Sequence, residues 1–218
     1  MITLSEENYL KAILSISLKK NGKISTNAIA KETNTTAASV SDMLKKLQEK
    51  KLIKYEKYKG VLLSRKGYKT AINILRKHRL WETFLVKKLN FDWSEVHDIA
   101  EQLEHIKSIK LIDKLDAFLN YPKFDPHGEA IPNKKGKIPI NNSTPISELP
   151  IGTKGSIMGV DIDEKSFLDY LTKLNINIGT KIEILERISF DQSLSIKIRK
   201  KTINISSNIA KHLLIKTT

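Results

Sequence analysis

Residues 76–107 read RKHRLWETFLVKKLNFDWSEVHDIAEQLEHIK and hold three of the five histidines in the chain. At helical spacing, His97, Glu101, Glu104 and His105 stand at i, i+4, i+7 and i+8, which predicts four side chains on one face of one helix. His78 and Glu82 repeat the i, i+4 pairing on the helix before it. Two helices offering imidazole and carboxylate, in a chain without cysteine, can cage a divalent first-row metal through nitrogen and oxygen. The same pairs also occur on solvated helices, where they contribute about a few tenths of a kcal/mol. Spacing alone leaves both readings open.

Composition bounds what surrounds this stretch. The 218 residues, 40% hydrophobic and 28% charged, suit a globular chain of more than one small domain. Zero cysteines exclude disulfides, thiolate zinc sites and thiol catalysis. No opening segment has the basic, apolar and small-residue order of a signal peptide, and no apolar run approaches the ~20 residues that span a bilayer. A cytoplasmic protein without a membrane partner is expected. The net charge of +14 is uneven. Residues 1–65 carry 13 basic against 6 acidic side chains, residues 66–120 carry 10 against 8, and residues 121–218 carry 15 against 10. A basic first third suits a segment that neutralises phosphates.

That first third has the order of a DNA-binding unit. Residues 4–19 predict a helix with Ser5 as its N-cap, Tyr9, Leu10, Ile13, Leu14 and Ile16 as its buried stripe, and Asn21-Gly22 as its stop. Ser25–Glu32 predicts a short second helix, Thr33-Asn34-Thr35 a turn, and Thr36–Lys50 a longer third helix. Val40, Met43, Leu44 and Leu47 make its apolar face, leaving Thr36, Ala38, Ser39, Ser41, Asp42 and Lys45 as candidates for DNA contact. Short helix, turn, and a longer helix with small and hydroxylated residues at its start mark a helix-turn-helix. A plain three-helix packing unit is the alternative. Leu52–Leu63 then alternates around Lys59-Gly60 as a hairpin, the position of a wing, where Lys54, Lys57 and Lys59 would meet phosphates.

Ser64 is placed to cap a helix running to about Lys88, with Trp81, Phe84, Leu85 and Leu89 on its apolar face. A further helix over Ser108–Leu119 carries Ile109, Ile112, Leu115 and Leu119. Three helices this apolar predict a dimer interface. Trp81 and Trp93 read as core or interface residues.

The succession helix-turn-helix, wing, RKHRLWE, VHDIAEQLEH and DPHGEAIP resembles the diphtheria toxin repressor family of metal-dependent transcription regulators, over essentially the whole chain. The resemblance implies two metal sites. One uses His78, Glu82 and His97. The other uses Glu101, Glu104 and His105 with side chains of the first helix, Asn8 among them. Members similar to the iron regulators carry cysteine where this chain has Glu101 and methionine where it has Asn8; the manganese branch carries carboxylates at both. Glu101 therefore points to Mn(II), with Fe(II) next and other divalent first-row ions in vitro. Two departures bear on the second site. Asn8 offers only a neutral amide oxygen, and Lys11 stands where the manganese branch often has glutamate; a protonated lysine cannot ligate.

Residues 122–150 hold all six prolines and predict an ordered turn followed by a linker. His127, in Pro-His-Gly, reads as a turn residue and not a ligand. From Ile151 the pattern turns to strands, TKGSIMGVD, KIEILER, SLSIKIR and KTINISS, with a single short helix over Glu164–Leu174, a small β-barrel similar to the family's SH3-like domain. In that family a carboxylate or amide before the short helix can reach the first site. Glu164 holds the matching place, with Asp161 and Asp163 near enough to substitute; an exposed acidic loop without a ligand role is the alternative.

The expected architecture is mainly α with a small β domain. A winged helix-turn-helix would cover 1–65, a helical metal-binding and dimerisation domain 66–140, a linker 141–150 and an SH3-like, FeoA-like domain 151–218. The expected function is a homodimeric repressor, activated by Mn(II) or Fe(II), on an inverted-repeat operator in double-stranded DNA. An enzyme is not expected, since no nucleophile motif or phosphate loop is present. A winged-helix regulator sensing another effector through the terminal domain, with a structural metal, is the alternative.

Overall fold

The computed structural model describes residues 2–19, 24–56 and 60–217. They divide into two compact units, one of residues 1–78, 102–110 and 132–137, the other of 79–101, 111–131 and 138–218.

In the first unit, helix α1 (Leu4–Lys19) buries Leu10, Ile13 and Leu14 completely. Its N-cap is Thr3, not Ser5. The Thr3 hydroxyl accepts from Glu6 N at 3.2 Å and the Glu6 carboxylate accepts from Thr3 N at 2.9 Å, the reciprocal pair of a capping box. Ser25 caps α2 (Thr26–Glu32) by accepting from Ala28 N, and Asn34 takes the left-handed φ of 47° in the turn that follows. Thr36 caps α3 (Ala37–Glu49) by accepting from Ser39 N, and Val40, Leu44 and Leu47 are fully buried. Strands β1 (Ile53–Glu56) and β2 (Gly60–Leu63) pair antiparallel, with Glu56 opposite Gly60, whose φ of 94° suits glycine. Ile24 adds a bridge to Val61. Lys57, Lys59 and the Asn21-Gly22 stop lie outside the described residues. Ser64 caps α4 (Arg65–Leu89), and a Cβ on Gly67 would lie 1.9 Å from the Leu52 carbonyl oxygen, so only glycine lets this helix start so near the wing.

Helices α4, α5 (Val96–Leu103) and α6 (Ile109–Phe118) each run across a boundary between the units. Trp81, Leu85, Ile112, Leu115 and Leu119 are buried as expected. Leu89 and Ile109 are not; both stand exposed, as do Leu111 and Phe118. Their apolar stripes wrap further around the helices than one chain covers.

The second unit ends in a six-stranded antiparallel sheet of order β3-β8-β4-β5-β6-β7. Its elements are β3 (Thr144–Pro145), a short 3-10 turn Ile146–Glu148, β4 (Lys154–Val160), α7 (Lys165–Lys173), β5 (Lys181–Arg187), β6 (Leu194–Ile198), β7 (Lys201–Ile205), α8 (Ser207–His212) and β8 (Leu213–Thr217). Register shifts at Ile157/Gly159 and Ile184/Glu186 bend the sheet around its core. The terminal domain thus has two short helices where one is expected. Six residues of α8 are too few to show a helical period, and its start depends on Ser206 accepting from Ile209 N. β3 lies inside the stretch read as linker, and Ile146 just after it is fully buried in the sheet's core. Trp93, from before α5, joins that core and donates its indole N–H to Thr172 Oγ1 at 2.9 Å.

Candidate metal centre

The four side chains read as one helical face are separated. Helix α5 stops at Leu103, and Glu104 and His105 fall in the turn closed by Ile106 N on Leu103 O. No glycine or proline ends the helix there. His97 and Glu101 stay with the second unit, Glu104 and His105 with the first.

In the second unit, Glu82 on α4 is buried and lies 3.8 Å from His97 Nδ1. His97 Nδ1 is 3.2 Å from Asp163 Oδ2, and its Nε2 is 3.7 Å from Glu101 Oε1, the i, i+4 contact along α5. Asp163, one of the two acids read as near enough to substitute for Glu164, is thus the one that faces His97, while the Glu164 carboxylate accepts from Ser166 Oγ at 2.6 Å at the start of α7. Asp161 meets His212 Nδ1 at 2.6 Å. One residue of offset decides which acid faces His97. His78 stands one turn before Glu82 on α4.

Behind Glu82 is a network that spacing did not reveal. His127 Nδ1 lies 3.7 Å from Glu82 Oε1, while its Nε2 meets the Trp93 carbonyl at 2.8 Å and its ring stacks on the Trp93 indole. Asp125 accepts from His127 N and Glu129 N, shaping the Asp-Pro-His-Gly turn, and Arg79 binds Glu129 at 2.6 Å. Burial opposes protonation of His127, yet the nearby Glu82 carboxylate, with Asp125 and the Trp93 carbonyl, pushes its pKa up to about 10. Burial, then the Glu82 and Glu129 charges, push Asp125 up to about 7 against Arg79 and His127. Ligating atoms of Glu82, Asp125 and His127 lie within 4.8 Å of one another. Asp125 is already engaged by the turn amides and His127 Nε2 by the Trp93 carbonyl, so this trio reads as a scaffold for Glu82. The Pro-His-Gly turn gave its only sequence signal.

In the first unit, Glu104 is fully buried, and its Oε2 receives Lys11 Nζ at 2.8 Å and His78 Nδ1 at 2.6 Å. His105 Nδ1 meets Glu7 Oε2 at 2.6 Å, and its Nε2 lies 3.8 Å from Glu104 Oε1. Asn8 Oδ1 and Glu104 Oε1 are buried and accept no hydrogen bond among the described residues. Lys77 Nζ reaches the Ile106 carbonyl at 3.3 Å; burial holds its pKa below the usual lysine range, against the Glu7 and Glu104 charges. Lys11 and Glu7, one turn apart on α1, were the readable signal of this cluster.

On α3, Thr36, Ala38, Ser39, Asp42 and Lys45 are exposed, and Lys54 is exposed on β1. The Thr36 hydroxyl is engaged as the cap, Ser41 is half-buried and donates to Ala37 O at 2.8 Å, and Asp42 pairs with Lys45 at 3.1 Å.

Comparison with known proteins bears on this arrangement. Residues 1–61 match the model described as iron dependent repressor, N-terminal DNA binding domain, residues 64–133 its metal binding and dimerisation domain, and residues 144–217 the FeoA domain. The HTH-type transcriptional regulator MntR of Listeria innocua is 31% identical over 144 residues, 66% of this chain and 99% of that protein. The chain belongs to the diphtheria toxin repressor family. Among solved structures, a manganese-dependent transcriptional repressor in complex with manganese is 30% identical, with a TM-score of 0.89 over 98% of this chain and 100% of that one. A probable metal transport system membrane protein of Chlamydia trachomatis is 41% identical over 75 residues, 34% of this chain but only 17% of that protein. Among the described residues no helix is long and apolar enough to cross a membrane.

Proposed function

We propose that the chain is a metal-activated transcriptional repressor of metal-ion homeostasis that binds an inverted-repeat operator as a homodimer, with Mn(II) as its ion and Fe(II) next. The observation that carries this is the approach of Glu82 and Asp163 to His97, with His78 one turn before Glu82. Imidazole and carboxylate donors without sulfur suit Mn(II) and Fe(II), and other first-row divalent ions would enter in vitro. Glu82, Asp163, His97 and His78 would hold the ion, which would supply the positive charge that balances the two carboxylates. The chain's own groups prepare for it. Glu104 can only accept, so His78 Nδ1 donates to it and Nε2 keeps the lone pair. His127 and the Asp125 turn hold Glu82 from behind.

The remaining parts follow from surface chemistry. The basic first third and the exposed start of α3 would face DNA, with Lys54 on phosphate. Leu111 and Phe118, seven residues apart on α6, are 42% and 58% exposed and would pack against a second copy. As a family regulator it acts by binding, without catalysis.

A second reading, an organic effector as the signal, is favoured by a 580 Å³ cavity in the second unit lined by Trp93, Phe124, Met158, Thr172 and Asn177. Metal-stripped protein that captures fragments from a random duplex pool, with and without Mn(II), separates the two. One inverted repeat should be enriched only with Mn(II), and His78→Ala should lose that response. Equal capture without metal would overturn the metal switch and leave the cavity as the signal's entry.

A further inference from the structure

We propose that the Lys11 ammonium is a tethered cation standing in for a second metal ion at the α1 end of the first unit, so that each protomer loads a single divalent ion tightly. The proposal rests on the metal-dependent reading above and states how many of the candidate positions answer to metal.

Charge decides it. Five side chains meet here, Glu7, Lys11, Lys77, Glu104 and His105, with Asn8 beside them. Lys11 Nζ sits 2.8 Å from Glu104 Oε2, in a pair whose side chains are 11% and 0% exposed. The same oxygen also takes His78 Nδ1. Glu7, the other carboxylate, is engaged on His105 Nδ1. Glu104 thus carries a buried ammonium, and Glu7 an imidazole, before any ion arrives. What stays open is Asn8 Oδ1, Glu104 Oε1 and His105 Nε2, an acceptor set whose one carboxylate is already paired with Lys11. A divalent ion there would be held by dipoles while facing Lys11 across one carboxylate.

The His97 position differs at this point. His97 Nδ1 lies 3.2 Å from Asp163 Oδ2 and 3.8 Å from Glu82 Oε1, and no α1 side chain enters these contacts. The cation at the α1 end has a structural consequence as well. Lys11 joins α1 to Glu104, and through it to His78, with no metal required. The clasp between the first helix and the turn after α5 is therefore built into the metal-free chain, and the ion-responsive step is left to His78, Glu82, His97 and Asp163.

The test is a Mn(II) titration of full-length, metal-stripped protein, reading free Mn(II) by electron paramagnetic resonance. Wild type should bind one tight equivalent per protomer, removed by His97→Ala, and any second equivalent should be weaker by roughly 10–100-fold, the usual size of an outer-shell effect on metal affinity. Lys11→Gln should tighten the second equivalent, and Lys11→Glu should bring it close to the first. Two equally tight equivalents in wild type would overturn the proposal, as would a second equivalent that ignores both substitutions. If Lys11→Glu fails to fold, wild type and Lys11→Gln decide. No tight equivalent at all would overturn the metal-dependent reading itself, a result distinct from two.

Discussion

Two clusters in this chain are built from the same residue types, and they differ in what neutralises their carboxylates. Around His97, Glu82 and Asp163 face an imidazole, with His127 Nδ1 3.7 Å from Glu82. Around Glu104, the chain supplies the Lys11 ammonium. Histidine and glutamate at helical spacing mark a place where a cation belongs. Which cation comes depends on the rest of the shell, and here α1 brings one of its own.

The largest effect that would break this contrast is on stability. Lys11→Met removes the ammonium and leaves Glu104, fully buried, with the imidazoles of His78 at 2.6 Å and His105 at 3.8 Å. Breaking a buried pair from one side costs about 3–5 kcal/mol. The loss here should lie near the lower figure, read as the urea midpoint of metal-free protein. Glu104→Gln in the same chain should recover part of it, because no buried charge then stands alone. A Lys11→Met protein as stable as wild type would show that Glu104 is satisfied without Lys11, and the contrast would fall.

The comparison sharpens at the other cluster. Asp163→Asn should weaken Mn(II) binding by roughly 10–100-fold, whereas Glu164→Gln should leave it unchanged, since that carboxylate is turned to Ser166. The same Mn(II) titration reads both. Equal losses would place both acids at the ion, and a loss confined to Glu164→Gln would restore the position implied by family resemblance.

Those two acids also show where sequence reading stops. Ser25 and Ser64 are legible as caps because each bonds to an amide three residues ahead, within reach of a local pattern, whereas Thr36, read as the first residue of its helix, is in fact the cap. The helix-turn-helix, α4 and four of the six strands of the terminal sheet follow from periods and turns of the same short range, while β3 and β8 were not read. The end of α5 is not of that kind. Its apolar and acidic spacing continues through His105, but Glu104 is drawn into contact with Lys11, 93 positions away. Asp163 and Glu164 differ by one residue, and only tertiary placement orients one of them toward His97. The Arg79, Asp125 and His127 network joins segments about fifty residues apart, and nothing local announces it. Leu89 and Ile109 were read as parts of apolar faces from period alone, which says that a face is apolar and not what covers it; both stand exposed.

The smallest expected effect tests whether a lysine on an acid is worth less when it is solvated. Glu6, nearly buried, is held by Lys50 Nζ at 2.7 and 2.8 Å, but that lysine is 40% exposed, unlike Lys11. Burial would raise the Glu6 pKa; the Lys50 ammonium and the Thr3 amide together hold it below the ordinary carboxylate range. A carboxylate whose folded pKa is depressed contributes stability that is present above its unfolded value and lost as pH falls through the folded one. Wild type should therefore melt above Lys50→Met by a margin that is steady above about pH 5 and shrinks toward nothing as acid protonates Glu6. Because solvent screens the exposed ammonium, the margin at neutral pH should be well under that of Lys11→Met. Melting curves of both proteins across the acid range give the answer. A margin that persisted undiminished below the carboxylate range would mean that Lys50 acts through its packing on α1, and the charge contrast between the two lysines would have to be withdrawn.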